Sequence, residues 1–189
     1  MGFLDVLTGR RKLAKPATDR LFAMSTAYVT MQTSLSINST GKAAIVFQPL
    51  ATADFESIVR DMEDVVRGTA ADSGTTVTRA DDTYGFRWLV LSGDDFDSLV
   101  AGIHAVSSAI EAGGYGERVL CAVFAFADEH RRLYWIYNYK RGAFYPFVPA
   151  SGAQQRDNER ELVLKAQIGA ELPVEAELER WFPLWGIPI

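Results

Sequence analysis

The stretch "RVLCAVFAFA", residues 118–127, decides how the rest of the chain is read. Every residue after Arg118 is apolar, and the run is far too short to cross a membrane as a helix. A strand buried on both faces reads as a continuous apolar run, whereas a half-buried one alternates. The stretch is therefore predicted to be a central strand. Asp128-Glu129-His130-Arg131 is a turn, and residues 132–140 return alongside. On that second strand Leu133, Trp135, Tyr137 and Tyr139 point one way, and Tyr134, Ile136, Asn138 and Lys140 the other.

Working outward, residues 95–111 carry Phe96, Leu99, Val100, Ile103, Val106 and Ile110 at helical spacing and stop at Gly113-Gly114. Residues 54–67 do the same with Phe55, Ile58, Val59, Met62, Val65 and Val66, and "GTAADSG" ends that helix. "TTVTR" and "YGFRWLVL" read as a hairpin around Ala80-Asp81-Asp82-Thr83. Nearer the N-terminus, residues 18–35 are expected to be helical with Leu21, Phe22, Val29 and Leu35 buried. "NSTGK" at 38–42 is a turn and 43–50 a strand ended by Pro49. Asn158 and Glu161 have the spacing of an N-cap and its partner three residues on. Pro173 is placed to start a last short helix leading into "RWFPLWGIPI". Helices and hairpins alternate without the spacing of parallel crossovers. The fold class is α+β, a mainly antiparallel sheet of five to six strands with helices packed on it.

Length and composition agree with one domain. The 189 residues are 48% hydrophobic, enough for a core without metal or disulfides. The one cysteine, Cys121, excludes an intramolecular disulfide and fits a reducing compartment. A net charge of -5 argues against a dedicated nucleic-acid binder. The start carries no long apolar segment of a secretory signal, so the expectation is a cytoplasmic protein. Gly9 and Pro16 set off residues 1–16 as a short basic amphipathic arm, followed by a single domain over 17–189.

The catalytic inventory is thin. His104 lies on the flank of a helix, His130 in a turn and Cys121 in a central strand, so no metal site or cofactor is expected. No phosphate-binding loop, dinucleotide fingerprint or nucleophile elbow occurs. The chain reads as a binding protein and not as an enzyme.

Two features exceed what a core requires. In the arm, Phe3, Leu4 and Leu7 stand beside Arg10, Arg11 and Lys12. This pattern suits an anionic bilayer surface, a partner, or docking on its own domain. The second feature is "YKRGAFYPFVP", residues 139–149. Gly142 permits a bend, and Pro146 and Pro149 cannot donate to a central ladder, so the stretch is an edge. As a partner surface it offers Lys140 and Arg141 to acidic side chains, with Phe144, Tyr145 and Phe147 as apolar area. As a sheet end it would only fill the core.

Several segments together resemble the PspA-associated family called PspAB: "MGFLDVLTGRRKLAKP", "DDTYGFRWLV", "HAVSSAIEAGGYG", "YNYKRGAFYPFVP", "RDNERELVLKA" and "LPVEAELERWFPLWGIP". The resemblance runs over nearly the whole chain in the same order. It implies an accessory role in the phage-shock, or envelope-stress, response. The partner it implies is a PspA-like coiled-coil protein rich in Glu, at the cytoplasmic membrane face, with an HtpX-type membrane protease nearby. It carries no catalytic residues. The order of elements is also similar to that of the YbjN and type III secretion chaperone group, which keeps a second function open: a chaperone-like homodimer holding a client segment. A third is an enzyme using paired carboxylates.

Overall fold

The computed structural model describes residues 18–152 and 154–189. The arm, with Phe3, Leu4, Leu7, Arg10, Arg11 and Lys12, lies outside them. The strands are β1 (Asn38–Phe47), β2 (Thr76–Asp81), β3 (Arg87–Ser92), β4 (Val119–Ala127), β5 (Arg132–Asn138) and β6 (Ala143–Phe147). The helices are α1 (Ala23–Leu35), α2 (Ala53–Ser73), α3 (Phe96–Ala112) and α4 (Asn158–Ile168). The six strands make one open antiparallel sheet in the order β2-β3-β1-β4-β5-β6. The fold is α+β, as the alternation of helices and hairpins implies.

Strand β4 lies between β1 and β5, with Ala122 opposite Ile45 and Tyr137. Its Ala122, Phe124 and Phe126 enter a core beneath the helices, while Cys121, Val123 and Ala125 enter a second core on the other face. An unbroken apolar run is what such a position requires, and each fully buried large side chain contributes about 1.5–3 kcal/mol. Over the first face α3 packs on β1, with α2 on the side of β2 and α1 on the side of α4. Asp95 caps α3 by accepting the Ser98 N–H at 3.0 Å.

Several local expectations are corrected. In α1 the buried face is Met24, Ala27 and Met31, continued by Leu21, while Phe22 and Val29 are 44% and 59% exposed. The polar residues of α1 blur its period, so β-branched Val29 looks apolar in sequence yet sits on the outer face. Residues 38–42 are not a turn but the start of β1, with a bulge between Ser39 and Lys42. Gly41 has φ +71° there, and a Cβ would stand 3.0 Å from the Gly93 carbonyl oxygen. Helix α2 continues through "GTAADS" to Ser73, and Val65 is exposed. The β2–β3 turn falls at 82–86, because Asp82 Oδ1 accepts the N–H groups of Tyr84 and Phe86.

The cap of α4 is Asp157, not Asn158. Glu161 is buried and serves a tertiary pair instead of the cap. After Pro173 only a 3-10 turn forms, Leu178–Arg180, and residues 181–189 run on without a helix. This tail, rich in proline and aromatics, covers the second face of the sheet. Trp181 and Ile189 are buried there, with Leu184, Trp185 and Ile187 packed beside them.

Candidate binding surface

The stretch 139–149 is the β5–β6 turn and the edge strand. Gly142, at φ +62°, lets the chain reverse, with its N–H donating to the Asn138 carbonyl at 2.8 Å. Lys140 and Arg141 stand exposed on this turn. Arg141 Nε donates to Glu175 Oε2 at 3.0 Å. Burial works against ionisation of Glu175, yet the Glu177 N–H and the guanidinium groups of Arg141 and Arg180 hold its carboxyl below the ordinary range. Lys140 has no carboxylate partner among the described residues.

The rings of this stretch do not form a rim. Phe144 is buried in the helix-side core, and Tyr145 and Phe147 in the tail-side core. Alternation along β6 sends them to opposite faces, and both faces are covered. The outer edge of β6 is covered too. Phe144 N–H donates to the Pro173 carbonyl and its own carbonyl accepts from Glu175 N–H, each at 2.8 Å. Pro146, opposite Trp135, has no N–H to offer. Of the five residues considered for a partner, the structure leaves Lys140 and Arg141 at the surface.

Next to that turn lies a feature that pattern reading missed. A cavity of about 610 Å³ opens between the tail and the second face of the sheet. Its floor includes Val46, Trp88, Leu120, Cys121 and Tyr145. Phe182, Pro183, Leu184 and Trp185 supply the tail side, and Lys140 and Asn138 border it from the turn. Tyr84 and Phe182 line it as well and are 68% and 58% exposed, so two aromatic rings stand at its mouth. The signal in the sequence was "WFPLWGIPI". Its prolines and glycine forbid a helix, while its apolar side chains demand cover.

The polar groups around the cavity divide cleanly. Asp82 is spent: Oδ1 accepts two backbone N–H groups and Oδ2 accepts Trp88 Nε1 at 3.0 Å. The Tyr145 hydroxyl donates to the Phe182 carbonyl at 3.0 Å, and burial raises its pKa well above the ordinary value. Cys121 is a neutral thiol whose pKa burial pushes up to about 12.

The tail is clamped by Arg156, on the loop before α4, which Glu161 of α4 holds in place. Arg156 donates to Glu161 Oε2 through Nη2 at 2.7 Å and to Oε1 through Nε at 3.0 Å. Arg156 Nη1 reaches the Trp181 carbonyl at 2.6 Å, and its guanidinium lies over the Phe147 ring. Glu161 Oε1 also accepts the Val148 N–H at 2.9 Å.

The remaining candidates stand apart. His104 packs against the Phe22 ring, His130 sits in the β4–β5 turn, and Cys121 is on β4. No group of three or more His, Cys, Asp or Glu that could hold a metal ion occurs among the described residues. Among the same residues no helix is long and apolar enough to cross a membrane.

No curated protein and no solved structure matches the chain. A family model described as PspA associated protein B matches residues 1–189 of the chain. The chain belongs to the PspAB family of PspA-associated proteins.

Proposed function

We propose that the chain is a non-enzymatic accessory of a PspA-like coiled-coil protein, acting by protein–protein contact at the inner face of the cell membrane. The full-length family match carries this reading, since the family is named for association with PspA. The contact falls on the β5–β6 turn, where exposed Lys140 and Arg141 complement a helix rich in carboxylates. The arm is a second contact, to lipid or to the partner. An HtpX-type membrane protease is a further candidate partner. The scattered histidines and the buried neutral thiol support a binding role over a catalytic one.

The test is capture from membrane-stressed cells followed by mass spectrometry. The chain should retain a PspA-like protein, and Lys140→Glu should weaken capture several-fold with an unchanged circular dichroism spectrum. Lys140 is the cleaner site, because Arg141→Glu would set two acids against each other at Glu175. Equal capture by wild type and Lys140→Glu would remove the turn from the contact, and no PspA-like protein at all would remove the reading.

One observation favours a second function. An apolar groove of about 320 Å³ runs between α2 and α3, with Val65 59% exposed beside it. It suits a chaperone-like dimer holding a client segment. Saturable capture of an unfolded apolar peptide, lost in Val65→Glu, would establish it.

A further inference from the structure

The tail-side cavity has properties that a protein contact at the turn does not need. Its volume, about 610 Å³, falls within the roughly 300–1,000 Å³ of pockets that enclose small organic ligands. Its surface is mostly carbon, contributed by aromatic rings on the sheet and by the tail. What selects the ligand is the state of the polar groups. The one carboxylate among the described lining residues, Asp82, is engaged with the protein itself, Oδ1 by two backbone N–H groups and Oδ2 by Trp88 Nε1. The Tyr145 hydroxyl already donates its hydrogen bond to the Phe182 carbonyl. Asn138 Oδ1 already accepts the Lys140 N–H at 3.1 Å, leaving its amide nitrogen to donate. The Lys140 ammonium, three donors with a positive charge, has no carboxylate partner among the described residues. The free polar groups at one end of an apolar chamber therefore offer hydrogen bonds and positive charge. They call for a ligand with an apolar body and an anionic end.

We propose that this cavity binds a fatty acid, a single apolar chain whose carboxylate is held by Lys140 and Asn138 while the chain lies between the sheet and residues 182–185. The floor at Cys121 suits a hydrocarbon, because the buried thiol is neutral and brings no charge into the chamber. The size of the chamber suits one chain and not the two of a bilayer phospholipid. The exposed rings of Tyr84 and Phe182 give the chain an apolar entry. Tail contacts made by single hydrogen bonds, such as Tyr145 to Phe182, allow this side to adjust around a guest.

The experiment is calorimetry on the purified full chain, with no PspA-like protein present, so it stands or falls apart from the partner reading. Dodecanoate, kept below its micelle concentration, should saturate at one per chain. Dodecyltrimethylammonium, the same chain with a cationic head, should bind more than about tenfold more weakly, the effect of a lost charge-assisted bond. Lys140→Met should erase that preference. Leu120→Trp, which fills the chamber from a partly buried position, should abolish binding of both. A measurement on the unmodified chain guards against misfolding of that variant: dodecanoate brominated at its far end should quench the fluorescence of Trp88 and Trp185. Absence of saturable binding, equal affinity for the two heads, no quenching, or unchanged binding in a folded Leu120→Trp would each overturn the proposal. Competition with dodecanoate by a short-chain phosphatidylglycerol, kept monomeric below its micelle concentration, would assign the site to a bilayer lipid and overturn the free-acid assignment.

Discussion

Changing Arg156 or Glu161 tests what holds the tail on the sheet. The two side chains are 18% and 2% exposed, so the pair is buried, and its members have further duties. Glu161→Gln keeps an oxygen for the Val148 N–H but removes the charge opposite Arg156. Arg156 then retains the Trp181 carbonyl and the Phe147 ring, so the cost should be about 2–3 kcal/mol, below the 3–5 kcal/mol typical of stranding a buried charge. Arg156→Gln leaves Glu161 buried without its counter-charge, and the full 3–5 kcal/mol is expected. At roughly 2–4 °C per kcal/mol for a chain of this size, Tm should fall by about 4–12 °C and about 6–20 °C respectively.

The two variants should also differ in pH response. Burial raises the Glu161 carboxyl above its ordinary 4.5, against the opposition of Arg156 and the Val148 N–H. Without Arg156 the folded value rises further. Between the unfolded and folded values the native state binds more protons, so stability falls as pH rises through that window. Arg156→Gln should therefore regain part of its loss as pH is lowered from about 8 to about 5, whereas Glu161→Gln has no such carboxyl to titrate. Thermal unfolding followed by far-ultraviolet circular dichroism gives Tm, and the near-ultraviolet signal reports the packing of the aromatic side chains, Trp181 among them. Losses below 2 °C in both variants, or a pH response shared by both, would refute the clamp.

Three further outcomes are expected. Asp128 is disfavoured as an anion by burial, but the N–H groups of His130 and Arg131 and the guanidinium of Arg160 hold its carboxyl below the ordinary 3.8. Its contribution is present above that value and lost as pH falls through the lower folded one, so the Tm gap between wild type and Asp128→Asn should close in acid; a gap independent of pH would contradict this. Cys121 should react with a disulfide reagent at least about a hundredfold more slowly in the native protein than in denaturant, and faster in Arg156→Gln; equal native rates would show that the tail does not shield it. Gly41→Ala should cost more than about 1 kcal/mol in chemical denaturation, because the left-handed backbone and the close Gly93 carbonyl both resist a methyl group.

How much of this was legible in the residues differs by element. Strand β4 was, because burial on two faces writes an unbroken apolar run, and so was α3, whose apolar residues keep a 3.6 period up to the glycines. The edge position of β6 followed from Pro146, which cannot donate. The burial of Tyr145 and Phe147 did not, because their cover comes from residues 181–189, far along the chain. Glu161 shows the same limit. Its spacing from Asn158 imitates a local cap, while its partner is Arg156 on the preceding loop, with Val148 beyond. The cavity was hidden for a related reason. An extended strap has no period, so nothing in "RWFPLWGIPI" says which surface it will lie on.

The cover over β6 has an arithmetic consequence for assembly. At the other end of the sheet β2 has no strand on its outer side among the described residues, although Arg79 and Asp81 make it unfriendly to casual pairing. A sheet with a single open margin has a valence of one. If two copies joined β2 to β2 across a twofold axis, both remaining margins would be closed β6 strands, and no site would be left for a third copy. Growth through the sheet would stop at two chains, with twelve strands, and could not continue into a fibre.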